Sequence, residues 1–145
     1  MKKTLFAFSA VFTLVIVFTS SCKKEDNANQ PNSVKVLGRW SVESSIFHEI
    51  YGGVEDYDTT KGIAGDYVEF QSGGILKTRI TEDGQTTEAT AGYFMPNDQA
   101  VSLVMEGDTS AFTIKTLTGN SLVLYSKYEN AGSEYFSENT VNLKK

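Results

Sequence analysis

The sequence predicts an all-β domain over residues 36–145, an eight-stranded antiparallel up-and-down barrel. From Val36 onward, short apolar or alternating runs are cut by Gly, Asn and Asp at intervals of roughly 8 to 12 residues, the spacing of barrel and sandwich strands. Thr, Val, Tyr and Phe are abundant in those runs, and their branched or flat side chains suit a pleated, half-buried surface. No segment keeps helical periodicity over about ten residues.

Strands are expected at about 38–50, 66–71, 75–82, 86–95, 99–106, 109–117, 121–130 and 134–144. The turns between them read QSGG (71–74), EDGQ (82–85), MPNDQ (95–99), EGD (106–108) and LTGN (117–120), where Gly, Asn and Asp accept the positive φ of tight hairpins. Residues 135–144 also suit a short helix, but Val141 and Leu143 alternate and favour a closing strand. Successive hairpins without long crossovers make a meander, and eight such strands can close and remove both edges. A barrel of this size is either just filled by side chains or holds one small ligand.

Period-two parity assigns the faces. The inward set is Trp40, Val42, Ile46, Val68, Phe70, Leu76, Ile80, Tyr93, Met95, Val101, Leu103, Met105, Phe112, Ile114, Leu122, Leu124, Val141 and Leu143. Arg39, Glu43, Glu69, Lys77, Arg79, Glu88, Lys115, Lys127 and Glu129 fall on the outward parity. Polar residues also fall inward by this count: Ser44, His48, Thr78, Ser126 and Tyr128. Buried polar groups need partners, so these residues suit the wide end of a cavity.

The chain opens with Lys2 and Lys3, about 14 mostly apolar residues from Leu5 to Phe18, then Thr19, Ser20 and Ser21 before Cys22. A membrane-spanning helix needs roughly 20 apolar residues, so residues 1–21 read as a signal peptide. Ser20, Ser21 and Cys22 resemble the lipobox of bacterial lipoproteins, with Thr19 in place of the usual branched aliphatic. That resemblance implies a diacylglyceryl unit on the Cys22 thiol and cleavage before it. Each buried methylene contributes about 0.8 kcal/mol, and two or more chains make a stable anchor. Residues 22–35 are then the lipidated cysteine and a flexible tether, since the stretch from Lys23 to Asn32 has Ala28 as its only apolar residue. Lysine followed by Glu25 and Asp26 resembles the surface-export signal of Bacteroidetes lipoproteins, which implies an outer-membrane anchor facing the periplasm or the outside.

Without residues 1–21 the chain has 124 residues, with 11 basic side chains against 18 acidic, a formal net charge of −7. That length makes one domain. The acidic balance argues against nucleic acid, whose phosphates are neutralised by Lys and Arg, and against a basic membrane patch. His48 is the only histidine and Cys22 the only cysteine, so catalytic triads and multi-histidine zinc sites have no material. Glu55, Asp56 and Asp58 lack the terminal bidentate carboxylate of a calcium loop. No enzyme activity, metal or cofactor is expected.

LGRW (37–40), YVEFQSGG (67–74), AGYF (91–94) and FTIKTLTGNSLVLYSKYE (112–129) resemble the lipocalin-like lipoproteins of Bacteroidetes, over nearly all of 36–145. The resemblance implies a lipocalin-like barrel in which Gly38-x-Trp40 closes the floor. It also implies a basic residue over Trp40, for which Lys144 and Arg39 are the candidates. The longest connection, 49–66, lies where lipocalins carry a lid loop, with Tyr51 and Tyr57 as rings able to fold over a ligand. A pocket is expected above Trp40, floored by Phe70, Phe112 and Tyr93, with His48, Ser126 and Tyr128 making directional contacts. The function expected from this set is non-catalytic binding of a small apolar or amphipathic ligand at the cell envelope. The alternative is a protein-interaction module with a filled barrel, for which the outward Phe94 and Tyr125 would be the contact patch.

Overall fold

The computed structural model describes residues 29–130 and 134–145. One helical turn, α1 (Asn32–Lys35), leads into nine strands: β1 (Gly38–Tyr51), β2 (Val54–Lys61), β3 (Tyr67–Gln71), β4 (Ile75–Glu82), β5 (Gln85–Asn97), β6 (Ala100–Met105), β7 (Asp108–Leu117), β8 (Ser121–Asn130) and β9 (Tyr135–Lys144). All are antiparallel to their neighbours, and β1 returns to pair with β9, which closes the sheet. On its other edge β1 is shared, since Gly38–Ser41 pair with β3 and Ser44–Tyr51 pair with β2. Nine strands therefore occupy eight positions around a closed antiparallel barrel. Residues 135–144 form the closing strand. Among the described residues no helix is long and apolar enough to cross a membrane.

Two expectations from the sequence are corrected here. The expected lid over 49–66 is mostly strand: β1 runs on to Tyr51, turns at Gly52 and Gly53, and returns as β2. Both glycines have positive φ, 58° and 78°, which a tight two-residue hairpin demands. Parity along β1 also changes, because its register against β9 shifts between Val42 and Ser44. Glu43 is thus an extra residue, and one extra residue sends every later side chain to the opposite face. Beyond the bulge Ser45, Phe47, Glu49 and Tyr51 face inward, while Ser44, Ile46 and His48 face outward.

One end of the barrel is packed solid. Trp40, Phe70, Leu76, Val101, Leu122, Leu124 and Leu143 form a buried cluster, plugged from below by Val36 after α1. The Trp40 indole Nε1 donates to the Val36 carbonyl at 2.7 Å, which satisfies its polar atom inside the core. Burying an indole of roughly 200 Å² at about 25 cal/mol per Å² contributes on the order of 5 kcal/mol. The cation over the ring is Lys145, with Nζ 4.2 Å from the centroid and donating to the Leu37 carbonyl at 3.0 Å. Burial holds that ammonium below its ordinary pKa. Lys144 and Arg39, expected in this role, sit on the outward parity instead. Lys144 faces Glu43 at 3.5 Å, and Arg39 stacks 3.9 Å over Tyr67 and pairs with Glu69 at 2.7 Å. Asn32, within the tether expected over 22–35, opens α1, and its side-chain amide donates to the Asp98 carbonyl at 2.6 Å.

The chain leaves β2 through a close approach at Gly62, whose amide donates to the Glu43 carbonyl at 3.0 Å. A Cβ at this glycine would stand 1.9 Å from the Val42 carbonyl oxygen. Gly62→Ala is therefore expected to destabilise the fold by at least ~2 kcal/mol, because backbone must move to admit the methyl. Urea unfolding with unchanged slope checks this, and a change within about 0.5 kcal/mol would contradict the packing described.

Candidate ligand-binding site

The packed floor gives way to an open half. Toward the turns at 82–85 and 105–108 the inward-facing apolar side chains become exposed: Phe47 by 37%, Ile80 by 36%, Met105 by 53% and Tyr128 by 57%. An inward side chain in a filled barrel would be covered, so these groups line a mouth. β2 and β4 share no ladder among the described residues, which leaves the wall open between them.

At that gap lies a cavity of about 330 Å³. Val42, Val68, Ile80 and Val141 supply its apolar wall, and Ser45, Thr60, Thr81 and Asp66 its polar one. Lys61 and Glu82 also border it. Ser45 Oγ is 3.1 Å from Asn139 Oδ1, a hydrogen bond across the β1–β9 seam. Two further depressions lie outside the barrel wall, one beside α1 at Lys35 and Thr118, the other at the hairpin tip beside Ile50 and Phe136.

Asp66 is 4% exposed and ties the turn before β3 to the cavity. Its Oδ2 accepts from the Ile63 amide at 3.0 Å, its amide donates to the Ile63 carbonyl, and its carbonyl accepts from the Val42 amide. Oδ1 is buried with no donor at hydrogen-bond geometry, although the Thr81 hydroxyl and amide lie near enough to act on the carboxylate. The Ile63 amide, helped by the Thr81 hydroxyl and amide and by the Arg79 charge, holds the carboxyl below its ordinary value of 3.8 against the opposing effect of burial.

The expected site residues divide. Trp40 and Phe70 are buried in the floor, and the Tyr93 ring meets Phe70 edge-on at 5.1 Å with its hydroxyl donating to the Gln71 carbonyl. Phe112 packs against that cluster, half-buried, while Ser126 and Tyr128 face inward from the upper part of β8. None of these six borders the cavity at the β2–β4 gap. His48 lies on the outer face because of the Glu43 bulge. There its ring stacks on Tyr57 at 4.1 Å with the planes 1° apart, and its Nε2 and Nδ1 lie 2.9 Å from Glu55 and 3.8 Å from Glu138. The Tyr57 hydroxyl donates to Glu55, which raises the phenol's pKa. Tyr51 faces inward at the hairpin tip, edge-on to Tyr135 at 6.3 Å. Of the outward pair, Phe94 is half-exposed, whereas Tyr125 donates to Glu138 and lies under the Lys115 ammonium.

Phe47, Ser45, Thr60 and Asp66 were not foreseen as site residues. Phe47 and Ser45 were hidden by the bulge, and Thr60 by the reading of β2 as loop. Ile80 and Met105 were read as inward-facing, but their exposure depends on where the strands stop.

A closed antiparallel barrel sealed at one end by a tryptophan and open at the other is a lipocalin-like architecture. The chain is similar to apocrustacyanin C1, with TM-score 0.56 and 14% identity over 81% of this chain, and to lobster apocrustacyanin A1, with TM-score 0.54 and 16% identity over 83%. It spans 64% of the length of each of those chains. A bovine lipocalin allergen aligns with TM-score 0.49 and 16% identity, over 78% of this chain and 74% of the allergen. The likeness in fold rests on the first two. No family model and no curated protein matches the chain.

Because the Asp66 pKa is lowered by folding, its contribution to stability is full above the unfolded value near 3.8 and is lost as pH falls from there through the folded value. Asp66→Asn, which keeps an acceptor for the Ile63 amide, is expected to flatten the acid limb of a stability-against-pH curve below about pH 4. Chemical denaturation across that range is the check, and a limb as steep as the parent's would exclude Asp66 as a contributor.

Proposed function

We propose that this protein is a cell-envelope lipoprotein whose barrel binds, without catalysis, a small apolar or amphipathic ligand in its open half. The observation that carries the reading is the exposure of inward-facing Phe47, Ile80, Met105 and Tyr128 around the mouth, beside a cavity of about 330 Å³. Sites for small molecules are concave and mostly apolar, with a few polar groups to orient the ligand, and they often occupy barrel mouths. Ser45, Thr60 and Ser126 are the orienting groups on this reading, above the floor built from Trp40, Phe70, Tyr93 and Phe112. Solved structures of similar fold support the architecture. The ligand comes from the exposure pattern. His48, engaged by Glu55, Glu138 and Tyr57 on the outer face, is turned away from the mouth, which favours binding over chemistry.

The test is titration with N-phenyl-1-naphthylamine, an uncharged dye that brightens in apolar surroundings. Saturable enhancement at one dye per chain is expected, and Ile80→Trp, which fills the cavity, should weaken it by roughly tenfold with the fold intact. No enhancement, or enhancement indifferent to Ile80→Trp, would turn the reading toward a filled barrel.

The anchor rests on the sequence alone, since Cys22, the signal peptide and residues 22–28 lie outside the described residues. Cells fed radiolabelled palmitate should label the parent protein in the outer-membrane fraction. Cys22→Ala should lose the label and be released. A label that survives the substitution would refute the anchor.

A further inference from the structure

The barrel segregates charge by face. Following the strand register, every basic side chain of the sheet, from Arg39, Lys61, Lys77 and Arg79 to Lys115, Lys127 and Lys144, starts from an outward or bulged position, as does His48. The inward positions hold no base but five acids: Glu49, Asp56, Asp58, Glu82 and Asp108. All five lie at the open end, on the β1–β2 hairpin or beside the turns that join β4 to β5 and β6 to β7. Among the described residues no group of three carboxylates, histidine or cysteine is arranged to hold a metal ion, so the acids form a diffuse ring and not a chelate.

A second, independent feature lies deeper. Asp66, 4% exposed, borders the cavity with one carboxylate oxygen that has no donor at hydrogen-bond geometry, Thr81 acting on the carboxylate only from beyond it. A buried acceptor without a donor is costly, and the cost is relieved by a partner that brings one. Lys61, the one base bordering the cavity, makes no ion pair with it.

We propose that the barrel selects amphipathic ligands carrying a protonated amine, with the apolar part against Val68, Ile80 and Phe47 and the ammonium directed to Asp66 and the acidic mouth. This rests on the open half being the binding site. A mouth lined by one sign of charge concentrates the opposite ion, and a site with unpaired acceptors rejects a carboxylate that can only repel them.

The experiment displaces N-phenyl-1-naphthylamine from the purified full-length product with n-decylamine, 1-decanol or decanoate, matched in chain length, at neutral pH and about 50 mM salt. The amine is expected to displace the dye roughly tenfold more tightly than the alcohol, and decanoate more weakly than either. Asp66→Asn should bring the amine to within about twofold of the alcohol. Should that variant fail to fold, the double variant Glu49→Gln with Asp58→Asn supplies the second test. It should lower amine affinity roughly threefold and remove most of its salt dependence. Equal displacement by all three compounds, or tighter binding of decanoate, overturns the preference for amines while the binding site stands. Failure of dye and alcohol alike overturns the site, and the preference with it.

Discussion

The architecture depends on β1 serving three neighbours at once. Its first residues pair with β3, its later ones with β2, and its far edge with β9, so a single strand both closes the barrel and divides it into two unlike halves. Glu43 sits where the division falls. Before it, inward positions carry Trp40 and Val42 into the floor. After it, they carry Ser45, Phe47 and Glu49 into the mouth. A bulge re-aims a strand's side chains and bends the strand locally. Here it converts a sequence that would continue an apolar stripe through Ile46 into one that lines an opening with mixed polarity.

The floor is held by contacts from the two ends of the barrel domain. Val36, just after α1, plugs it and accepts from Trp40, while Lys145 covers the indole and caps the Leu37 carbonyl. Residues at opposite ends of the domain thus meet at one ring. The core clusters there and leaves the upper strands to be held by their ladders and by outer-face pairs such as His48 with Tyr57 and Glu55.

Much of this was legible because alternation survives in most strands. Leu122 and Leu124, or Val101 and Leu103, declare their face by spacing alone, and the closing strand was readable from Val141 and Leu143. The failures have local causes. Gly52 and Gly53 are a two-residue hairpin signal. The five acidic and threonine residues of 55–60, however, read as solvated loop, because both faces of β2 are exposed. The Glu43 bulge leaves no mark in the residue types around it, so His48 was placed inside. The Lys145 contact depends on the position of the C-terminus relative to the floor, and neighbouring Lys144 has the same chemistry on the wrong parity. The site was partly legible for the same reason: its inward apolar members were readable, but the height at which the strands stop covering them was not.

Among the described residues, the gap beside β2 leaves that strand with an unpaired edge from Val54 to Lys61. Such an edge is a template for another chain's strand, and a run of aromatic and branched residues there would invite the molecules to stack into fibres. Glu55, Asp56, Asp58 and Lys61 put charge on nearly every other position, and identical copies meeting edge to edge would oppose like charges. Crowded together, these barrels would be kept apart in part by Asp56 and Asp58, which also face the way in.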